Sequence, residues 1–249
     1  MSDHLGLKIF SDVCSHYKLF ARLINVQTTQ CKTFVTGGPH ATMNYVYDID
    51  IRDEESFAHD LAMLRETKIP MMLLCEANTS EKMDYLFKSE NLTIIGSAQS
   101  KFLPLSHFCY TPSPMISIKE VKTDEMMTTW RQVAATGFDY PFGCDEALFK
   151  DYISSAPHDS VKLFVAYVDG KAVGQSMLVL CEDASANMWS SVLPEYRKQG
   201  ILTEMIKYRN SIAHLHGHTQ SVVQCMPSSA PVYDKLGYMN AEKFNIYSL

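Results

Sequence analysis

The apolar residues of the chain change period several times, and each change marks an element. Leu5, Ile9, Val13, Tyr17, Phe20 and Leu23 recur near helical spacing with His4, Lys8, Asp12 and Lys18 between them, so residues 1 to about 30 are expected to be helical. From Lys32 to Ile51 the reading is β and loop, with a turn at Gly37-Gly38-Pro39 and a strand over Met43–Val46. Helical spacing returns from Asp53 to Glu66, where Phe57, Leu61 and Leu64 share one face. Pro70 ends that element and Met71–Cys75 reads as a strand. Ser80 is expected to cap a helix through Leu86 and Phe87, and Leu92–Ile95 to begin another extended piece.

The second half is more sharply patterned. Asp124 precedes a helix through Trp130 and Val133, Gly137-Phe138-Asp139-Tyr140-Pro141 breaks it, and Asp145–Ile153 forms another. Val161–Val168 and Ala172–Leu180 are strands joined by Asp169-Gly170, a tight-hairpin signal. A further strand carries Asn187, Met188, Trp189, Val192 and Leu193, and Pro194 stops its ladder by removing a donor. After the turn Arg197-Lys198-Gln199-Gly200, the residues Leu202, Met205, Ile206, Arg209 and Ile212 recur at helical spacing. Thr219–Cys225 is a strand. Ser228 or Ser229 is expected to cap a short helix through Val232, Tyr233 and Leu236, Gly237 to stop it, and Lys243–Tyr247 to form the last strand.

A faint echo links the halves. Met71–Glu76, Ser80–Phe87 and Leu92–Ile95 repeat the order of Val222–Cys225, Ser229–Leu236 and Lys243–Tyr247, so the first half reads as a degenerate copy. It has no glycine between Gly38 and Gly96, hence no counterpart of the Gly200 turn and no second phosphate site. The two prolines of Tyr110–Pro114 mark the expected boundary between an α/β domain at 1–112 and a second domain at 115–249.

Composition narrows the class. The 249 residues are 46% hydrophobic and 20% charged, which suits a soluble globular protein long enough to bury a proper core. The longest clean apolar run, Ile69–Cys75, is far short of a membrane span, and MSDHLGLK lacks the regions of a signal peptide, so a cytoplasmic protein without membrane partners is expected. A net charge of −6 argues against general nucleic-acid binding. Seven scattered cysteines with no CxxC pair read as reduced thiols used for packing.

The chemistry concentrates in Asn187–Leu202. A strand passing through a basic turn into a helix places free backbone N–H groups at the positive end of the helix, an arrangement suited to phosphate or pyrophosphate. Gly200 lets the backbone approach such a ligand closely, and Arg197 and Lys198 add charge.

The order of hairpin, strand ending Val192-Leu193-Pro194, turn Arg197-Lys198-Gln199-Gly200, long helix, strand, and short helix with Tyr233-Asp234-Lys235-Leu236-Gly237-Tyr238 resembles the GNAT superfamily of N-acetyltransferases. The likeness covers about residues 115–249; a weaker one, at Asn44 and the strand-helix-strand run after Pro70, links the first half to the amino-terminal domain of some bacterial members. The resemblance implies a mixed, mostly antiparallel sheet flanked by helices, preceded by the smaller α/β domain. It implies acetyl-CoA as cosubstrate, held along Val192, Leu193 and Pro194 and at Arg197, Lys198, Gln199, Gly200, Ile201, Leu202 and Thr203. The Val192 N–H is then the donor to the thioester oxygen, Tyr233 the general acid, and Asp139 and Tyr140 fall where relatives shape the acceptor pocket.

The acceptor implied is a primary amine of a small molecule or peptide. Two departures stand out: Leu202 occupies a position where relatives carry a small residue, and Met226-Pro227-Ser228-Ser229 lacks a family asparagine. They leave a catalytically inactive acyl-CoA sensor or interaction module as the alternative. Glu182, Asp183 and Glu195 are further carboxylates without an assigned role as base. His214, His216 and His218 have no nearby carboxylate or cysteine to complete a ligand set, so no metal is expected. The first half is expected to cover the acceptor site or to form a homodimer surface.

Overall fold

The computed structural model describes residues 5–106, 108–155 and 159–249. Its centre is one ten-stranded mixed sheet, mostly antiparallel, with helices on its faces. The first half supplies α1 (Leu5–Tyr17), β1 (Lys32–Val35), β2 (Asn44–Tyr47), α2 (Glu54–Glu66), β3 (Met72–Glu76), α3 (Ala77–Lys82), α4 (Asp84–Ser89) and β4 (Thr93–Pro104). The second supplies β5 (Ser117–Glu120), α5 (Asp124–Phe138), α6 (Glu146–Phe149), α7 (Tyr152–Ser155), β6 (Val161–Val168), β7 (Lys171–Leu180), β8 (Ser185–Val192), α8 (Ile201–Leu215), β9 (Gln220–Cys225), α9 (Ala230–Lys235) and β10 (Met239–Ser248).

Most elements stand where periodicity puts them, and the departures have local causes. The first helix ends at Tyr17, and Ile24 then donates from its backbone N to Val35 O at 2.7 Å, so the chain runs on beside β1. Val26, Thr28 and Thr29 are β-branched residues that lose rotamer freedom in a helix; residues 1–4 lie outside the described residues. Ser80 is no cap: it sits inside α3, buried, with Oγ donating to Ala77 O at 3.0 Å. Ser229 holds the N-cap position of α9 without a side-chain capping bond. The Asp145–Ile153 helix is two short ones, α6 and α7. Edge strand β5 has a sequence, Ser-Ile-Lys-Glu, with too little apolar signal to announce itself. At the hairpin, Asp169 and Gly170 both have positive φ (48° and 78°), the geometry that favours this dipeptide.

The strand order, β1-β2-β3-β10-β4-β9-β8-β7-β6-β5, gives the echo a physical form. β2 runs parallel to β3 as β8 does to β9, and β1 and β7 are their antiparallel neighbours. The last strand of each half has crossed to the other: β10 pairs with β3, β4 pairs with β9, and β4 and β10 pair with each other between them. One apolar cluster spans both halves, with Phe10, Phe34 and Tyr45 in the same core as Trp130, Met177 and Val222. Cys14, Cys31, Cys75, Cys181 and Cys225 are buried, and burial pushes their thiols up, Cys14 to about 12, so they pack as protonated side chains.

Asn44 organises the loop after β1. Its Oδ1 accepts from Thr36 N (2.9 Å) and Gly37 N (3.1 Å), and its Nδ2 donates to Gly38 O (2.9 Å) and Pro70 O (2.9 Å). The side chain is fully buried, so Asn44→Ala strands several polar groups without water. At about 1–3 kcal/mol for each group left unsatisfied, the variant is expected to lose about 3 kcal/mol or more. A thermal melt lowered by about 6 °C or more is the corresponding reading, and an unchanged melt refutes the assignment.

Candidate active site

β8 and β9 pair in parallel only at Ser185↔Ser221, Ala186↔Val222 and Asn187↔Val223. Beyond that point β8 continues to Val192 along β7 and β9 to Cys225 along β4 without pairing with each other, so the sheet opens into a V. A buried polar knot closes its base. Asn187 Nδ2 lies 2.9 Å from Asn210 Oδ1, 2.8 Å from Ser221 Oγ and 3.0 Å from the Tyr238 hydroxyl, which ties β8, β9, α8 and the turn between α9 and β10 together. Buried groups of this kind hold one another at a cost, since Asn187 Oδ1 itself has no hydrogen-bond partner, and the knot fixes where divergence starts. Just above it β8 bulges against β7 between the Met188 and Ser191 pairs, and Trp189 takes a positive φ of 45°.

The V leads to the basic turn. Leu193 N donates to Val173 O at 2.9 Å, Pro194–Tyr196 form one 3₁₀ turn, and Lys198 (φ 63°) and Gly200 (φ 81°) are left-handed. Gly200 is the N-cap of α8 and no side chain caps the helix, so the amides of its first turn are open at the mouth of the V. Lys198, Gln199 and Gly200 are exposed, and Gln199 Nε2 folds back onto Glu195 O at 3.1 Å. Arg197 is spent differently: Nε donates to Val192 O (3.1 Å) and Nη2 to Gly137 O (2.9 Å), which fastens the turn to the end of α5. Leu202 packs inward between the Val192–Ile201–Met205 cluster and the Ile206–Val223–Tyr233 cluster, away from the open amides. Thr203 is half-buried in the same turn. Glu204 Oε1 accepts from the Tyr110 hydroxyl and Ser113 N, both at 2.7 Å, which anchors the inter-half linker to the start of α8.

Tyr233 stands on α9 beyond β9, 3% exposed, edge-on to Tyr238 at 5.2 Å. Burial pushes its phenol up to about 12, working against the nearby positive charge of Arg209, while a hydrogen bond with Ser190 on the β8 bulge lowers it. The phenol is thus protonated at neutral pH and adjoins the diverging strands. α9 is held from the first half: buried Lys101 on β4 bonds Asp234 Oδ1 at 2.6 Å and also reaches Asn240.

On the other face of the sheet, α1 lies over the base of the V, where Ile9, Phe10, Val13, Ala186, Met188 and Val222 leave only about 10 Å³ of space. Phe138 (42% exposed) and Phe142 (55%) stand open at the end of α5, and Trp189 meets Phe138 edge-on at 5.6 Å. Asp139 is exposed and left-handed (φ 58°) as the C-cap of α5. The Tyr140 hydroxyl contacts Asp145 Oδ2 at 3.3 Å, and Asp145 Oδ1 accepts from Arg131 Nε and Nη2 at 2.9 and 2.7 Å. Only the Tyr140 ring, against His40 and Phe138, faces this region. Asp183 pairs with Lys8 and Glu195 with Lys171 (3.8 Å), both as exposed ion pairs. Among the described residues no group of three or more histidine, cysteine or carboxylate side chains is set to hold a metal, and His214 and His216 are exposed.

The matching opening in the first half has the opposite polarity. β2 and β3 pair at Tyr45↔Met72 and Val46↔Leu73 before a cavity of about 720 Å³ lined by Asp12, Asp48, Asp50 and Glu76 beside Lys8 and Lys32. Carboxylates stand where the second half has a glycine turn, which disfavours a diphosphate there.

Residues 159–240 match the family model described as the acetyltransferase (GNAT) domain. No curated protein matches the chain. Among solved structures, a GCN5-related N-acetyltransferase from Kribbella flavida superposes with TM-score 0.70 at 13% identity, covering 98% of this chain and 95% of that one. A putative GNAT acetyltransferase from Novosphingobium aromaticivorans gives TM-score 0.61 at 11% identity over 99% of this chain and 98% of the other. A tandem GNAT protein from the clavulanic acid biosynthesis pathway gives 0.58 at 11% identity over 88% and 78%. Residues 159–240 are therefore similar to the acetyltransferase (GNAT) domain, and the whole chain shares its fold with GCN5-related N-acetyltransferases, a tandem GNAT protein among them. No helix among the described residues is long and apolar enough to cross a membrane.

Proposed function

We propose that the protein transfers the acetyl group of acetyl-CoA to a primary amine of a small molecule or peptide by direct attack, with Tyr233 as general acid. The observation that carries this reading is the open V between β8 and β9, with an uncapped helix start at one end and a buried phenol at its wall. In it the amides of Gln199 to Thr203 hold the diphosphate, the pantetheine arm lies along Val192, Leu193 and Pro194, and the Val192 N–H donates to the thioester oxygen. Lys198 supplies charge from the exposed turn; Arg197 acts by holding the turn against α5.

The acceptor enters past Asp139 and the Phe138, Tyr140 and Phe142 rings, with α1 and the first half covering the opposite approach. A basic amine such as a polyamine or an amino sugar suits the acidic chain. The division at 112–115 is read as the seam of an internal duplication, one half of which keeps the cosubstrate site.

The test has two steps. Acetyl-CoA is expected to raise the melting temperature, and thiol release is then followed with spermidine, glucosamine and a lysine peptide. No stabilisation removes the cosubstrate from the reading. Stabilisation with no thiol release across a broad amine panel favours an inactive acyl-CoA sensor instead.

A further inference from the structure

Arg209 interrupts the apolar stripe of α8 and is fully buried. Its Nε reaches Met205 O at 3.2 Å, and Nη1 reaches Met177 O at 2.8 Å and Met188 O at 3.2 Å, all neutral carbonyls, while the Tyr233 phenol lies close enough to favour its charged form. Nη2 has no hydrogen-bond partner, and among the described residues no carboxylate forms an ion pair with the guanidinium. A buried cation without a counterion is expensive in the resting protein, and burial pulls its pKa down although it stays protonated.

The groups around it narrow its purpose. Tyr233 and Tyr238 are the ionisable neighbours that favour its charged form, and Cys225 adjoins Tyr233. The Tyr238 hydroxyl is committed to the polar knot with Asn187, Ser221 and Asn210. Tyr233 instead adjoins Ser190 on the bulge, where the strands have already parted. The charge therefore stands beside the phenol assigned above as the acid.

We infer that Arg209 is a positioning residue for acyl transfer that acts through Tyr233, its uncompensated charge favouring the phenolate formed when the phenol gives up its proton. The inference rests on the reading of Tyr233 as the acid. The amine nitrogen attacks the acetyl carbon, the C–S bond breaks with its electron pair on sulfur, and the thiolate takes the Tyr233 proton. The new amide releases one proton to solvent, and solvent reprotonates the phenolate. A counterion missing from the ground state and made in the transition state is the condition under which a fixed charge accelerates a step. The competing role is plain scaffolding, in which Arg209 only satisfies the carbonyls left free by the bulge. Arg209→Gln retains a donor and drops the charge, so it separates the two.

The phenol can be titrated without any substrate by placing trifluorotyrosine, which ionises near neutral pH, at position 233 and following its ¹⁹F resonance. Arg209→Gln and Arg209→Met are each expected to raise that pKa by at least about one unit, a tenfold change in the equilibrium, and Arg209→Lys by less than half as much. If one replacement fails to fold, the other still reads the charge. A shift below about 0.3 unit in a variant that melts like the parent overturns the inference. In turnover, Arg209→Gln is expected to lower kcat by about tenfold or more with KM for acetyl-CoA nearly unchanged, and to have almost no effect once Tyr233 is phenylalanine. Independent losses in the two backgrounds refute the coupling alone. A Tyr233→Phe protein as fast as the parent refutes the acid assignment, and the inference with it.

Discussion

Tyr233→Phe is expected to lower kcat about 10²- to 10³-fold while leaving the acetyl-CoA dissociation constant within about threefold of the parent. The substitution removes one oxygen from a side chain that is 3% exposed and packed against Tyr238, Val223 and Ile206, so the apolar contacts survive. What disappears is the hydroxyl proposed as proton donor beside the parted strands. The hydroxyl lies next to Ser190 and the Arg209 guanidinium, and a phenol pushed up to about 12 holds its proton throughout the neutral range. No loss of rate from deprotonation of this group is therefore expected below pH 9; a fall in rate at lower pH is expected from protonation of the amine. Thiol release under saturating amine separates kcat from binding, and a melting curve checks the fold. Loss of acetyl-CoA affinity equal to the loss in kcat would show that the hydroxyl serves binding, not proton transfer.

How α9 is held bears on what the first half does. Lys101 reaches Asp234, the residue after Tyr233, from a strand contributed by the first half. Removing residues 1–110 would strip β10 of both neighbours, β3 and β4, and expose the free edge of β9. Loss of activity in such a truncation would report collapse of the sheet, whereas point changes in α1 leave the strands paired and address covering of the acceptor side directly.

Residues that follow their local pattern were legible in the sequence, and residues placed by distant partners were not. Val161–Val168, the Asp169-Gly170 hairpin and α8 follow from short-range periodicity and turn chemistry, and Asp53 caps α2 through Ser56 N at 2.8 Å. The halt of α1 at Tyr17 depends on a bond from Ile24 to Val35, which no window of the sequence contains. The crossing of β4 and β10 was foreshadowed only as an order of elements, since partner choice in a sheet is non-local. The strand-turn-helix arrangement was visible from residue types, but the engagement of Arg197 with Gly137 O was not, because Arg197 looks the same bound to a carbonyl as to a phosphate. Arg209 did leave a trace: an arginine at a buried helical position is an anomaly whose meaning appears once its neighbours are known.

Gly200→Asp is expected to raise the acetyl-CoA dissociation constant at least about 100-fold while moving the melting temperature by no more than about 8 °C. At Gly200 φ is 81°, and a Cβ there meets nothing within 4 Å, so a side chain strains the backbone without a clash. That strain costs about 1–2 kcal/mol, and aspartate tolerates the conformation better than most residues. A carboxylate at the mouth of the V repels a diphosphate on the open amides of α8; two charges 4 Å apart near a protein surface interact by about 4 kcal/mol, well above the 2.7 or so that a 100-fold loss requires. Gly200→Ala carries the strain without the charge and should weaken binding by less than about tenfold, so the pair separates the two effects. The first half shows the same chemistry in place: Asp48, Asp50 and Asp53 occupy the connection from β2 to α2 where the second half has Arg197, Lys198 and Gly200. Calorimetric titration of both variants with acetyl-CoA decides the matter. An aspartate variant that binds like the parent would place the diphosphate away from the helix start and leave the V without its anchor.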